Sequence, residues 1–165
     1  KGIKMISKYL TMTWTYQGKI INELHDMPEG THGFIYKITN GLTGEYYIGK
    51  KQVQSTRKRK FGKKETAALT DKRMKRYEMV TEESNWVDYR SSNKIVSGWF
   101  DKDGRPNPTS NDTLELKILK FCGNKKSLTY YELQEQFSHN VLADELSLND
   151  NLLGKFFRKD LDITE

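Results

Sequence analysis

The stretch GFIYKITNGLTGEYYIGKK, Gly33 to Lys51, holds two short runs of β-branched and aromatic residues around Asn40, Gly41 and Gly44, and it ends in lysines. Such residues suit a pleated surface, and asparagine and glycine reach the positive φ that a tight loop needs, so the stretch predicts an antiparallel β-hairpin. A four-residue loop would set Tyr36 directly opposite Tyr47 on one face, with Cβ atoms about 5 Å apart. A five-residue loop would set Ile48 opposite Tyr36 and send the two phenols to opposite faces. Loop length therefore decides whether the two tyrosines share a site.

Charge concentrates just beyond the hairpin. From Lys50 to Arg76 there are 12 basic residues against two acidic ones, Glu65 and Asp71, while the rest of the chain carries more acid than base. Such a block on a mildly acidic background is the electrostatic footprint expected of a polyanion binder, with nucleic acid the first candidate; a solvated basic loop is the alternative. The 165 residues fit one domain. Only 35% of them are hydrophobic but 12% are aromatic, which points to a core built on Tyr, Phe and Trp. Cys122 is the single cysteine, so no internal disulfide forms and a packing role in a reducing compartment is expected. No window approaches the roughly 18 apolar residues of a membrane span, and Lys8 interrupts any signal-peptide core, so a soluble, cytoplasmic chain with no membrane partner is expected.

Residues 1–30 read as an N-terminal arm or small element that ends at the turn residues Pro28 and Gly30, and residues 31–165 as the main domain with a basic insertion at about 50–76. ESNWVDYRSSNKIVSGWF predicts a helix with Asn85 as N-cap and Trp86, Tyr89, Val96 and Trp99 at helical spacing. Residues 101–112 predict a loop; its DKDG lacks the remaining ligands of a calcium site. TLELKILKFC alternates as a third strand. A helix from about Ser127 is expected to bury Tyr130, Leu133, Phe137 and Val141 and to leave Glu132, Gln136 and His139 facing solvent; pattern alone does not choose between Glu132 and Glu135 as a functional carboxylate. His25, His32 and His139 lack metal-ligand spacing and are assigned no catalytic role.

Phe34-Ile35-Tyr36, ten intervening residues and Tyr47-Ile48-Gly49 resemble the paired signature of the GIY-YIG endonuclease family. The first glycine of that signature is replaced here by Phe34, with Gly33 just before it. ESNWVDYRSSN resembles the Trp-x-x-Tyr-x-x-Ser segment of phage-borne members, and YYELQEQF followed by LNDN resembles their glutamate helix and late asparagine.

The resemblance implies an α+β fold, a small three-stranded antiparallel sheet flanked by helices, and cleavage of DNA phosphodiesters dependent on Mg²⁺ or Mn²⁺. By position it implies a site of Tyr36, Tyr47, Glu132 as metal ligand and Asn149, with Asn151 a neighbour of the same chemistry. The family's arginine, ten residues after the second tyrosine, falls on Arg57, and Arg59, Arg73 and Arg76 are the alternatives. Lys50, Lys51, Arg59, Lys60, Arg73 and Arg76 are the expected DNA contacts.

In such a site Glu132 suits a hard cation that takes one or two carboxylates plus substrate phosphate. An arginine fork suits the phosphate. Tyr36 would serve as general base once positive charge from the metal, Lys50 and Lys51 lowers its phenol. Tyr47 would orient water or phosphate, and Asn149 would position Glu132 or the strand beside it. Double-stranded DNA is the implied partner, with a homodimer one way to cut both strands. The role expected is a free-standing phage homing-type nuclease in the host cytoplasm. A restriction or host-DNA-degrading nuclease and a non-catalytic DNA-binding module are the other readings. With 165 residues leaving no room for a separate DNA-binding tail, target selection is expected to fall to the basic block, the arm and the 101–112 loop.

Overall fold

The computed structural model describes residues 13–107 and 113–161. The first 12 residues of the expected arm and residues 108–112 of the expected loop lie outside that range. The central sheet contains β1 (Trp14–Tyr16), β2 (Lys19–Ile21), β3 (Gly33–Asn40), β4 (Tyr46–Gln52) and β7 (Leu114–Cys122), in the order β2-β1-β7-β3-β4. The expected three antiparallel strands are present as β7-β3-β4, but the sheet has five strands and is mixed. The hairpin β1-β2 adds to the far side of β7, with β1 parallel to β7 through Thr15 and Lys117. This extension follows from Trp14, whose indole is 1% exposed and donates its N–H to the Trp86 carbonyl at 2.9 Å. Trp14 packs in the same core as Phe34, Tyr36 and Trp86, and part of residues 1–30 thereby joins the main body of the fold.

The β3-β4 loop is longer than either length considered. Thr39 opposes Tyr46, and Asn40 closes the turn by donating its N–H to Glu45 O and accepting from Gly44 N–H, with Gly44 at φ +77°. Tyr36 therefore lies opposite Gly49, and Tyr47 opposite Ile38. The shift is by two residues from the register that would pair the tyrosines, so both phenols remain on one face, in diagonal contact.

Two cores sit on the two faces of the sheet. On one, Phe34 is wedged between Trp14 and Trp86, with ring centroids at 5.2 and 6.1 Å. Burying rings of this size removes roughly 150–250 Å² each from water, on the order of 5 kcal/mol apiece before the cost of ordering the chain. The residue replacing the signature glycine is thus part of the core. On the other face Ile35, Tyr46, Ile48, Leu128, Val141 and Leu142 pack together. Alternation along β7 is as expected: Leu114, Leu116 and Ile118 are buried and Glu115 and Lys117 exposed, until the pairing with β3 shifts between Ile35 and Tyr36.

The basic block is in large part regular structure, with turns over residues 68–76. β5 (Gln54–Lys60) and β6 (Tyr77–Glu83) form a separate two-stranded antiparallel ribbon, with the short helix α1 (Lys63–Ala67) near its tip. The expected helix over 85–100 is replaced by turns and a single four-residue helix, α2 (Lys94–Ser97), capped by Asn93. The cause is Arg90. It is buried, and its guanidinium takes the carbonyls of Val87, Tyr89 and Gly104, two of which a helix would have used for its own ladder. Ser91 then turns the chain at φ +77°. Burial holds the Arg90 guanidinium down at about 10.

α3 (Lys125–Ser138) is capped by Asn124, whose side chain accepts the Ser127 N–H. Its expected apolar stripe is only half kept: Val141 is buried and Leu133 packs on the second core, but Tyr130 and Phe137 do not. Tyr130 and Phe137 are each 63% exposed, whereas Gln136 is 5% exposed. The reason is what the helix faces: the edge strand β4 presents polar groups, so the polar row of α3 turns inward to meet them.

Candidate active-site cleft

β4 is an edge strand of the sheet, and successive side chains along it point to opposite faces. Tyr47, Gly49 and Lys51 face the tryptophan core, while Tyr46, Ile48 and Lys50 face α3. A cleft of about 270 Å³ opens at this edge, lined by Tyr47, Lys50, Glu132, Gln136, Asn149 and Asp150 among others. Glu132 reaches it from α3, its side chain 14% exposed, and accepts from Lys50 Nζ at 2.8 Å; the same ammonium also donates to Thr129 Oγ1 at 3.1 Å. Thr129, Glu132 and Gln136 lie at the three- and four-residue spacing that places them on one helix face. Pattern left Glu132 and Glu135 open; it is Glu132 that lines the cleft.

The outer edge of β4 is not left bare. Ile48 donates its N–H to Asn149 Oδ1 at 3.0 Å, and its carbonyl accepts from Asn149 Nδ2 at 2.8 Å and Gln136 Nε2 at 3.2 Å. Tyr46 N–H donates to Leu146 O, and Leu148 N–H to Tyr46 O, so residues 146–149 continue the sheet by one partial strand. Asn149, 3% exposed, uses its amide as a backbone mimic on the strand that carries Tyr47 and Lys50. The loop that bears it is held by Arg158, which donates to the carbonyls of Val141, Asp144, Ser147 and Asn149. Tyr46 adds a hydroxyl bond to Asp144 Oδ2 at 2.6 Å, which keeps that carboxyl below its usual range.

Tyr36 stands behind Tyr47, with ring centroids 6.3 Å apart, and it is not among the residues lining the cleft. Gly49 is the residue that lets them meet. A Cβ there would lie 2.6 Å from Tyr36 Oη and 2.8 Å from Tyr47 Cε1. Burial, with Tyr89 beside it, pushes the Tyr36 phenol well above its ordinary value; burial and the Glu132 carboxylate push Tyr47 up as well. The lysines expected to act with a metal on the Tyr36 phenol are engaged by other groups. Lys50 is neutralised by Glu132, and Lys51 binds Asn85 and lies over the Tyr89 ring at 4.2 Å.

Arg57 is on the ribbon, paired with Glu82 at 2.9 Å, and does not line the cleft. Arg59 is likewise paired, with Glu65 and Glu78. Arg73 and Arg76 lie beyond it toward the tip, so the cation in the cleft is Lys50. Sequence reading missed the Lys50–Glu132 pair, Gln136 as a strand anchor, and Asp150. The alternation of β4 with the 129/132/136 spacing would have revealed the first two.

Among the described residues no group of three or more His, Cys, Asp or Glu side chains is placed to hold a metal. Glu132 and Asp150 are the carboxylates lining the cleft. Hard oxygen donors, few in number and open to substrate, fit Mg²⁺ or Mn²⁺, and the Lys50 ammonium supplies the positive charge that Glu132 holds here.

A phenol, an ammonium and a carboxylate converging at a sheet edge are groups that phosphodiester hydrolysis asks for. A family model described as "Putative endonuclease segE, GIY-YIG domain" matches residues 14–157, and the chain belongs to that GIY-YIG endonuclease family. No curated protein and no solved structure matches the chain. Among the described residues no helix is long and apolar enough to cross a membrane.

Proposed function

We propose that the chain is a metal-dependent endonuclease that hydrolyses phosphodiesters of double-stranded DNA at the β4-edge cleft, as a free-standing homing-type nuclease of phage origin acting in the host cytoplasm. The observation that carries this reading is the shared cleft: Tyr47 and Lys50 from β4 meet Glu132 from α3, with Asn149 fixing the strand between them. Mg²⁺ or Mn²⁺ on Glu132 would neutralise phosphate charge and lower the proton affinity of groups near it.

The rest is the work of the chain's own residues. Tyr47, the phenol that opens to the cleft, orients the attacking water. Tyr36, behind it, receives the proton as the phenolate, in the fraction of molecules that have first released the phenol proton to solvent. Lys50 moves from Glu132 to the phosphate oxygens as negative charge builds there, the part that family position gives to Arg57. Lys51, Lys60, Arg73 and Arg76 contribute phosphate contacts along the bound duplex. Asn149 is a positioning residue, because its amide is spent on Ile48.

Supercoiled plasmid incubated with Mg²⁺ or with chelator, using the parent chain and Glu132→Gln, tests the reading. Cleavage should require the metal and fall by more than about a hundredfold in the variant, beyond the loss typical of outer-shell partners. Binding without cleavage by the parent would instead identify a DNA-binding module, and neither binding nor cleavage would leave a structural partner. A linear product from a dimeric parent would support cutting of both strands by a homodimer.

A further inference from the structure

A two-stranded ribbon is marginal in water unless something packs against it. In β5 and β6 nearly every residue is exposed, on both faces, so the sequence of the ribbon is spent on its surface. Directly opposed residues share a face, and the register therefore sorts the side chains into two sets.

One set is self-neutralised. Arg57 pairs with Glu82, and Arg59 with both Glu78 and Glu65, so two guanidinium groups meet three carboxylates. The opposite set holds Thr56, Lys58, Lys60, Tyr77, Met79 and Thr81, with Gln54 and Glu83 at its root, where Glu83 accepts the Trp86 indole N–H. Its lysines have no ion pair among the described residues. Lys58 Nζ lies 4.8 Å and Lys75 Nζ 5.8 Å from the centre of the Tyr77 ring, which gathers cations around one aromatic plane. Met79 is 57% exposed beside them, and the hydroxyls of Thr56 and Thr81 meet at 3.1 Å across the strands. The face thus offers unpaired cations flanking a floor of hydroxyl and thioether groups.

We infer that this lysine face, and not the arginine face, docks the ribbon in the major groove of duplex DNA. The inference rests on the endonuclease reading above and names the surface that would select its target. Charge complementarity favours a polyanion, and a major groove about 12 Å wide admits a two-stranded ribbon whereas a minor groove of about 6 Å does not. Lys58, Lys60 and Lys75 meet phosphates along the groove walls. Thr56, Thr81 and Met79 face base edges and thymine methyls. At about 3.3 Å per residue a seven-residue strand spans roughly 23 Å, a footprint of about seven base pairs. Arg59, expected as a DNA contact, lies on the other face, paired with Glu65 and Glu78.

The test is binding to a mixed-sequence duplex in the Glu132→Gln background, with chelator present so that no cleavage intervenes, titrated between about 50 and 200 mM salt. Lys58→Gln with Lys60→Gln should reduce the slope of log Kd against log salt by about 2, since each phosphate contact contributes about 0.9. Arg57→Gln with Glu82→Gln removes one charge of each sign from the other face and should leave the slope at its parent value. A duplex built with 7-deazapurines lacks the N7 acceptors of the major groove and should bind more weakly. A parent slope in the lysine variant, or an equal reduction in the arginine–glutamate variant, would overturn the choice of face; undiminished binding of the 7-deazapurine duplex would overturn the groove. Should the parent cleave plasmid yet the lysine variant keep the parent slope, only this inference falls. Should the parent bind no duplex, the endonuclease reading falls with it.

Discussion

Lys50 and Lys58 stand eight residues apart in one nearly continuous extended segment, yet their surroundings have little in common. Lys50 is tied to Glu132 and Thr129 in a cleft whose walls are cross-braced by Asn149, Gln136 and Arg158. Lys58 projects from a ribbon with solvent on both sides, over a tyrosine ring. The break between the two regimes is Val53, fully buried, whose N–H goes to His32 O and whose carbonyl accepts Ser84 N–H. Before it, the polar groups of the β4 edge are satisfied inside the fold. After it, the arginines are paired on one face of the ribbon while Lys58 and Lys60 are left to meet something outside. Function divides along the same line, with positioning for chemistry on one side and adaptable grip on the other.

The contrast makes substitutions in the cleft costly and those in the ribbon mild. The largest effect is expected for Asn149→Ala. It deletes both amide bonds to Ile48, leaving the buried Ile48 N–H unpaired and its carbonyl with Gln136 alone, about 3 kcal/mol in total, or a fall in Tm of roughly 10 °C by thermal denaturation. Plasmid cleavage should be lost in parallel, because β4 carries both Tyr47 and Lys50. A Tm equal to that of the parent would mean that the edge of β4 is held by other contacts. Gly49→Ala comes next. The added methyl meets the Tyr36 hydroxyl and the Tyr47 ring at distances that force both to shift, an overpacking cost of about 1–3 kcal/mol. Cleavage should fall further than Tm indicates, since the phenols themselves move.

What could be read from sequence follows the same division. The hairpin, the third strand and the helix carrying Glu132 announce themselves through local pattern, because alternation and capping are properties of neighbouring residues. The two-residue displacement of the register did not, since loop closure by Asn40 and Gly44 depends on hydrogen bonds that composition does not fix. Helical spacing misled twice for one physical reason: a burial pattern states which residues are covered, not by what. Trp86 and Val96 are buried, but by turns organised around the Arg90 guanidinium. Gln136 is buried because β4 offers a carbonyl, a partner 88 residues away. The ribbon was visible only as charge, because pairing of β5 with β6 separates arginines from lysines by strand parity alone.

The phenols give a prediction in pH. Tyr36 and Tyr47 are both raised above their ordinary value, so each is neutral near pH 7. If Tyr36 must accept a proton, the single-turnover cleavage rate should rise about tenfold per pH unit from about 7 to 9 and show no plateau there, and Tyr36→Phe should lose that rise. Stability runs the other way. A group whose folded pKa exceeds its unfolded value of about 10 holds its proton longer when folded, so the contribution is complete below about pH 10 and is lost as pH climbs past it. A rate that levels off near neutrality would move the proton acceptor away from Tyr36.

The smallest effect is expected at a two-bonded surface ion pair. Arg57 and Glu82 make two hydrogen bonds, at 2.9 and 3.3 Å, on a face open to water. Exposed pairs of this kind are screened by solvent and must order two long side chains, so their geometry overstates their worth. Arg57→Ala should leave Tm where it was, in thermal denaturation at low and at moderate salt alike. The ribbon then owes its form to strand pairing and to its root at Val53 and Ser84, and the pair serves to cancel charge on one face. A fall in Tm as large as that of Gly49→Ala would show instead that the ribbon is fastened into the fold through Arg57, and the separation between a fixed cleft and a free arm would no longer hold.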